Sequence, residues 1–313
     1  MNRLGSAIGA FFYFYNPTIH ARYLQGHVGV LLGHALAPLL GRAIWSLLHA
    51  TDPNVKRHIL AIGMIAFTGA SLQPHWVPLQ FLLVVPFVLV LSVLATGRLP
   101  RSSSLVGVAA GMALAMALNL PLVTIVLAKG TAISRQLHSV VHLAALSSNT
   151  RVLDALRLTG EPAGGLLPPF GYTRVDLRGL AGFIPILLAL SAPWVASRRT
   201  RSIGLASVGA FLLALSLGTG TTYHTRVYLW LYEHIPFFDA FRESSKFLVP
   251  GTLFAATALS AAIDALSGRQ RTLAVACALI VAGAQVWFVW PAFGGYAGVP
   301  EALLSRPTDS EAA

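Results

Sequence analysis

The sequence predicts an all-α protein: a polytopic transmembrane helical bundle of about eight spans, with short interfacial helices in its outer loops. Three observations carry that expectation. Hydrophobic residues make up 55% of the 313 and charged residues 11%, and the mean hydropathy is +0.69. A soluble chain carries roughly 25% charged residues, so this one lacks the charge to cover a surface facing water on all sides. Apolar runs near the ~20 residues that cross a hydrocarbon layer recur along the chain. The basic residues gather in the short turns between those runs.

The spans read in order as follows. His27 to His49 is the first. His58 to Leu72 is short and passes through Gln73-Pro74-His75 into a third, Trp76 to Thr96. Leu105 to Ala128 is the fourth, Gly179 to Ser197 the fifth and Ile203 to Gly218 the sixth. Phe247 to Leu266 and Thr272 to Trp290 complete the set. Together they form a transmembrane domain over residues 1–292, followed by a polar tail at 293–313. Ahead of the first span, Phe11-Phe12-Tyr13-Phe14-Tyr15 reads as an aromatic segment at the membrane interface or as the stub of an earlier helix. The apolar stretch Ile8 to Tyr15 has no small-residue cleavage site after it, so no cleavable signal peptide is expected. Gly107 and Gly111 in the fourth span have the spacing that lets two helices approach closely, inside the bundle or in a dimer.

The net charge is +11, from 22 Lys and Arg against 11 Asp and Glu. Four short turns hold much of the excess: Lys56 and Arg57; Arg98 and Arg101; Arg198, Arg199 and Arg201; Arg269 and Arg271. They follow spans one, three, five and seven, so one alternation places all four in the cytoplasm. The charge therefore reads as membrane topology, and nucleic acid is not an expected partner. The same alternation puts Met1 to Gly26, the turn at Gln73 to His75, Lys129 to Arg178, Thr219 to Lys246 and the tail outside. The expected localisation is a bacterial-type cytoplasmic membrane, crossed many times.

Three outer segments hold the residues that can do chemistry. Asn16-Pro17 breaks any helix arriving from the N-terminal side, and His20, Arg22, Gln25 and His27 follow at the outer membrane face. They serve as an interfacial anchor or as contacts to an anionic headgroup. In the loop 129–178, Asn149 or Thr150 can cap a short amphipathic helix that contains Arg157 and turns Leu153, Leu156 and Leu158 toward lipid or core. That loop is either a lid or packing over the helix ends. Val227 to His234 reads as a short helix on the membrane, ended by Pro236. Asp239, Arg242, Glu243 and Lys246 then recur at three- and four-residue spacing on one helix face. They pair with one another, or Arg242 and Lys246 form a cationic pocket for a lipid phosphate. The candidate substrate-binding set is His20, Arg22, His27, Arg157, His234, Arg242, Glu243 and Lys246, with Asp239 the candidate general base.

Other chemistries find little support. No pair of carboxylates lies within a span, and Asp264, the one acid deep in a span, lies near the cytoplasmic end within reach of Arg269 or Arg271. His34 shares a helix face with His27 and points into the bundle, while Arg42 snorkels toward the cytoplasm. No internal repeat is visible, which weighs against an inverted-repeat transporter or a flippase. No cofactor is expected. A divalent metal is compatible with the chemistry, but no ligand cluster is visible in the sequence. Cys277 stands alone in an apolar run and reads as a small filler.

Three of these stretches, in order, resemble the GT-C-type membrane glycosyltransferases. They are Phe14-Tyr15-Asn16-Pro17 with Arg22 to His27 and Leu36-Ala37-Pro38-Leu39; Leu146 to Thr150 with Leu156-Arg157-Leu158-Thr159-Gly160; and Ile235 to Phe247. The actinobacterial arabinofuranosyltransferases and the YfhO-like proteins are the members they are most similar to. The resemblance implies an enzyme that takes a sugar from a polyprenyl-phosphate carrier and transfers it outside the cytoplasm. Its partners would be membrane lipid and the polyprenyl-phosphate sugar. The family's catalytic carboxylate stands in the first outer loop, a region that this alignment puts upstream of Met1. The chain is thus expected to be the downstream part of such an enzyme, working with an upstream-encoded membrane segment or subunit, or a non-catalytic membrane component.

Overall fold

In hydrocarbon no water satisfies backbone N–H and C=O groups, so an apolar run becomes a helix, which satisfies its own. The computed structural model describes residues 2–19, 28–49, 55–72, 79–121, 124, 152–158, 177–196, 198–219, 230, 234 and 244–289. Among the described residues every regular element is helical. They are α1 Arg3–Phe14, α2 Val28–Leu48, α3 Val55–Leu72, a π-helical turn Gln80–Val84 leading into α4 Val85–Thr96, and α5 Ser102–Leu118. Then come the short α6 Val152–Leu156 and α7 Leu177–Ala181, followed by α8 Phe183–Val195 and α9 Arg198–Gly218. A 3-10 turn, Ser244–Phe247, opens α10 Leu248–Arg269, and α11 Arg271–Val289 follows.

This is an integral membrane protein by length and composition: five helical stretches are long and apolar enough to cross a bilayer. They are Val28–Leu48, Leu177–Val195, Thr200–Gly218, Leu248–Arg269 and Arg271–Val289. Leu82–Thr96 and Ser102–Leu118 are apolar but shorter. In α3 the initial Lys56, Arg57 and His58 dilute the apolar run. Each of the eight expected spans is thus a helix where described, and five have full crossing length.

The bundle is built around α10. Of its apolar window 83% is buried, against 28% to 44% in the other four long helices. Its Ala255, Ala256, Ala258, Ala261 and Ala262 are all buried, and small side chains let neighbouring backbones come close. α1 uses that room. A Cβ at Gly5 would lie 2.6 Å from the Ser260 carbonyl oxygen, and one at Gly9 would lie 1.8 Å from Ser260 Oγ. Only glycine fits this approach. α8, α9 and α11 pack on the remaining faces of α10. A second group, α2, α3 and α5, packs beside them, with Gly107 of α5 against Leu47 and Gly111 against Ile62. The Gly107–Gly111 pair is therefore spent inside the bundle. α4 joins the groups, with the Phe87 and Phe254 ring centroids 4.8 Å apart. The π-helical turn before it has a cause: the Pro86 ring cannot sit against the carbonyl four residues back, and one extra residue in the turn relieves the clash.

Contacts at the helix ends fix the directions. Ser92 Oγ meets His49 Nε2 at 3.4 Å, Arg201 Nε donates to the Pro193 carbonyl at 3.2 Å, and Gly218 abuts Leu248. With α1 running from Asp264 of α10 to His34 in the first half of α2, these contacts put the four basic turns at one end of the described bundle. One expectation is corrected. Met1 to Gly26 was expected wholly at the opposite end, yet the Asn2 N–H donates to Asp264 Oδ1 at 2.6 Å, beside the Arg269–Arg271 turn. α1 starts at the basic end and rises antiparallel to α10. Its 12 residues span only ~18 Å, too short to register as a crossing, and its Gly5–Gly9 spacing is what seats it.

Candidate functional site

The end opposite the basic turns is where the polar side chains converge. Asn16 is fully buried and does two jobs. Its Nδ2 donates to the Phe12 and Tyr13 carbonyls at 3.2 and 2.8 Å, closing the last turn of α1. Its Oδ1 accepts from the Ile19 N–H at 3.2 Å, capping the turn that begins at Pro17. Asn16-Pro17 thus ends one helix and starts another turn.

Beyond that turn, Thr18 Oγ1 donates to the Leu158 carbonyl at 2.5 Å. This bond joins the N-terminal segment to the short helix of the loop 129–178. Leu158 is fully buried with φ +60°, left-handed backbone that a leucine adopts only under constraint. The Thr18 bond and the burial of its side chain supply that constraint.

Next to it lies the charged centre of this end. Arg157 Nη2 and Asp154 Oδ1 form an ion pair of 2.5 Å with both side chains nearly inaccessible, 2% and 12% exposed. Arg157 Nη1 also donates to the Gly179 carbonyl at 3.3 Å, and its guanidinium lies 5.2 Å from the Phe183 ring and 6.0 Å from that of Phe288. One arginine therefore ties α6 to α7, α8 and α11. A buried charge is tolerable only when paired and hydrogen-bonded, and this one is.

The third outer segment arrives at the same place. Ala155 of α6 clusters with Leu215 of α9 and Leu248 at the start of α10. Lys246, half-buried, lies in the 3-10 turn two residues before Leu248. The described parts of all three segments singled out in the sequence thus meet at one end. Below them, the Tyr13 and His34 rings stack at 3.8 Å, and His34 is buried as the sequence implied. Tyr13 was not among the expected site residues, and a tyrosine in an aromatic run gave no sign of its partner.

The other expected residues divide. His234 is exposed, and its Nδ1 lies 2.8 Å from the Trp230 carbonyl, with the two rings stacked at 4.9 Å. His20, Arg22, His27, Asp239, Arg242 and Glu243 lie outside the described residues. Among the described residues no group of three or more His, Cys, Asp or Glu side chains could hold a metal ion. Arg157 Nη1 and Nη2 are already engaged by a carbonyl and a carboxylate, so in this arrangement they position the loop. No protein-family model, no curated protein and no solved structure matches this chain.

Proposed function

We propose that this protein binds a polyprenyl-phosphate sugar at the end opposite its basic turns and acts there as a GT-C-like glycosyltransferase or as the downstream part of one. In this reading the basic turns face the cytoplasm and the polar end faces outward in a bacterial cytoplasmic membrane. The observation that carries it is the convergence just described. Segments 140 and 93 residues apart are joined at one end by the Thr18–Leu158 bond and the Ala155–Leu248 contact, beside the Asp154–Arg157 pair. A folded polar end over a lipid-exposed bundle suits a ligand with a charged head and a long apolar tail.

The roles follow from the chemistry of such a ligand. Lys246, with Arg242 and Arg22 or His20, offers cations to the phosphate, each charge-assisted contact contributing about 1.5–3 kcal/mol. His27, His234 and Glu243 are the remaining polar groups offered to the sugar. Asp239 serves as the base that takes the acceptor hydroxyl proton. Transfer of labelled sugar by the purified full chain tests this directly. Asp239→Asn retains a capping oxygen and removes the base, so turnover falls by about 10²–10⁴ at unchanged thermal stability. Equal turnover in that variant removes Asp239 from the mechanism.

A second reading, a non-catalytic membrane component, draws on one observation. Asp154, the described acid at this end, is committed to Arg157. Failure of the wild-type chain to transfer sugar, while it still binds the polyprenyl phosphate, selects this reading.

A further inference from the structure

At the basic end, the turn between α8 and α9 leaves a groove open on the outside of the bundle, with a volume of about 530 Å³. Pro193 and Trp194 form one wall, Leu205, Gly209 and Leu212 run along the other, and Arg201 stands at the mouth. Positions 201, 205, 209 and 212 form one stripe along α9, ~16 Å long at 1.5 Å per residue. That is about half of the ~30 Å hydrocarbon thickness, the depth of one leaflet.

Three features say what fits. The walls are apolar and stand in the open: Trp194 is 74% exposed, Leu205 50% and Leu212 45%. A Cβ built at Gly209 meets nothing within 4 Å, so the missing side chain is what hollows the groove. Arg201 Nε donates to the Pro193 carbonyl at 3.2 Å, which fixes the guanidinium plane at the mouth. Its Nη1 and Nη2 make no hydrogen bond among the described residues. Two N–H-bearing nitrogens on one edge match two oxygens of a phosphate. An exposed tryptophan beside them suits the headgroup boundary.

We propose that this groove binds one anionic phospholipid of the leaflet bordering the basic turns, its acyl chain along Leu205, Gly209 and Leu212 and its phosphate on Arg201. The site lies at the other end of the bundle from the polar cluster and does not depend on the function assigned there. A zwitterionic lipid would fill the same apolar channel but would bring an ammonium group near Arg201, so selectivity for the anion is the signature of a site.

Native mass spectrometry of the full chain, released from micelles with equal phosphatidylglycerol and phosphatidylcholine, tests it. One phosphatidylglycerol per chain should be retained, at least about tenfold over phosphatidylcholine. Arg201→Gln should abolish that preference, and Gly209→Leu, which fills the groove from an open position on the helix, should abolish retention itself. Gly283→Leu is the control: its Cβ also meets nothing within 4 Å, on α11 away from the groove, and it should keep the lipid. Equal retention of the two lipids overturns the proposal, as does a wild-type preference in either Arg201→Gln or Gly209→Leu. A dimer mass that Gly209→Leu abolishes would show a second copy in the groove and would overturn it too.

Discussion

The Tyr13 hydroxyl donates to the backbone carbonyl of His34 at 2.5 Å, and the His34 ring reaches back through Nε2 to the Tyr13 carbonyl at 3.2 Å. Both carbonyls lie four residues before a proline. In a helix each carbonyl accepts from the N–H four residues on. Four residues after His34 stands Pro38, inside α2, and four after Tyr13 stands Pro17; neither has an N–H. The Tyr13 hydroxyl therefore satisfies the acceptor that Pro38 orphans in α2, while the Tyr13 carbonyl, left without a helical donor ahead of Pro17, accepts from both Asn16 Nδ2, at 2.8 Å, and His34 Nε2. A carbonyl only accepts, so His34 Nε2 carries the proton and Nδ1 holds the lone pair.

Removing the Tyr13 hydroxyl should leave the His34 carbonyl buried and unsatisfied, at a cost of about 1–3 kcal/mol. Tyr13→Phe should lower the thermal midpoint of the purified chain. Adding Pro38→Ala restores an N–H four residues after His34, so the double variant should recover much of the loss. Two penalties that simply add would show that the proline and the tyrosine are not linked.

The Asp154–Arg157 pair makes a second, larger prediction. Arg157→Ala strands a buried carboxylate, and breaking such a pair by removing one partner costs about 3–5 kcal/mol. Arg157→Met with Asp154→Asn removes both charges and should unfold at a higher temperature than Arg157→Ala. Arg157→Lys should not restore the wild-type midpoint, because an ammonium cannot hold the carboxylate and the Gly179 carbonyl with the spread of a guanidinium. A midpoint for Arg157→Ala equal to wild type would mean that the pair does not organise this end.

Much of this architecture is legible in the sequence, and the parts that are not have physical reasons. Helix positions follow from apolar run length, because lipid leaves the backbone no alternative. The common end of Lys56, Arg98, Arg201 and Arg269 follows from alternation alone. α1 escapes a hydropathy reading because it is half the length of a span, and only the Gly5–Gly9 spacing gives it away. The π-helical turn before α4 is signalled by Pro86, yet a proline alone does not say whether a helix kinks, bulges or ends. At the polar end, residue types marked Arg157 as chemically capable but not its role. Whether an arginine meets a ligand or a neighbouring acid depends on how the loop folds over it, and a loop shows no periodicity to reveal that.

Orientation in the membrane is checked by accessibility. In a Cys277→Ser background, Ser103→Cys at the start of α5 and Leu153→Cys on α6 place single thiols at exposed positions at opposite ends. An impermeant maleimide on intact cells should label position 153 and leave 103 unlabelled until the membrane is opened. Labelling of 103 alone would invert the protein and put the polar end in the cytoplasm.

Where a polyprenyl phosphate sits is read most directly by photo-crosslinking. The full chain in vesicles is irradiated with a polyprenyl phosphate bearing a diazirine beside its phosphate, and the modified peptides are mapped. Adducts should fall at the end opposite the basic turns, in the segments that contain Asn16 to Thr18, Asp154 to Leu158 or Ser244 to Phe247, and excess unlabelled lipid should compete them away. Adducts confined to the turns at Arg98, Arg201 and Arg269, or spread along the bundle without competition, would contradict a polyprenyl-phosphate site at the polar end.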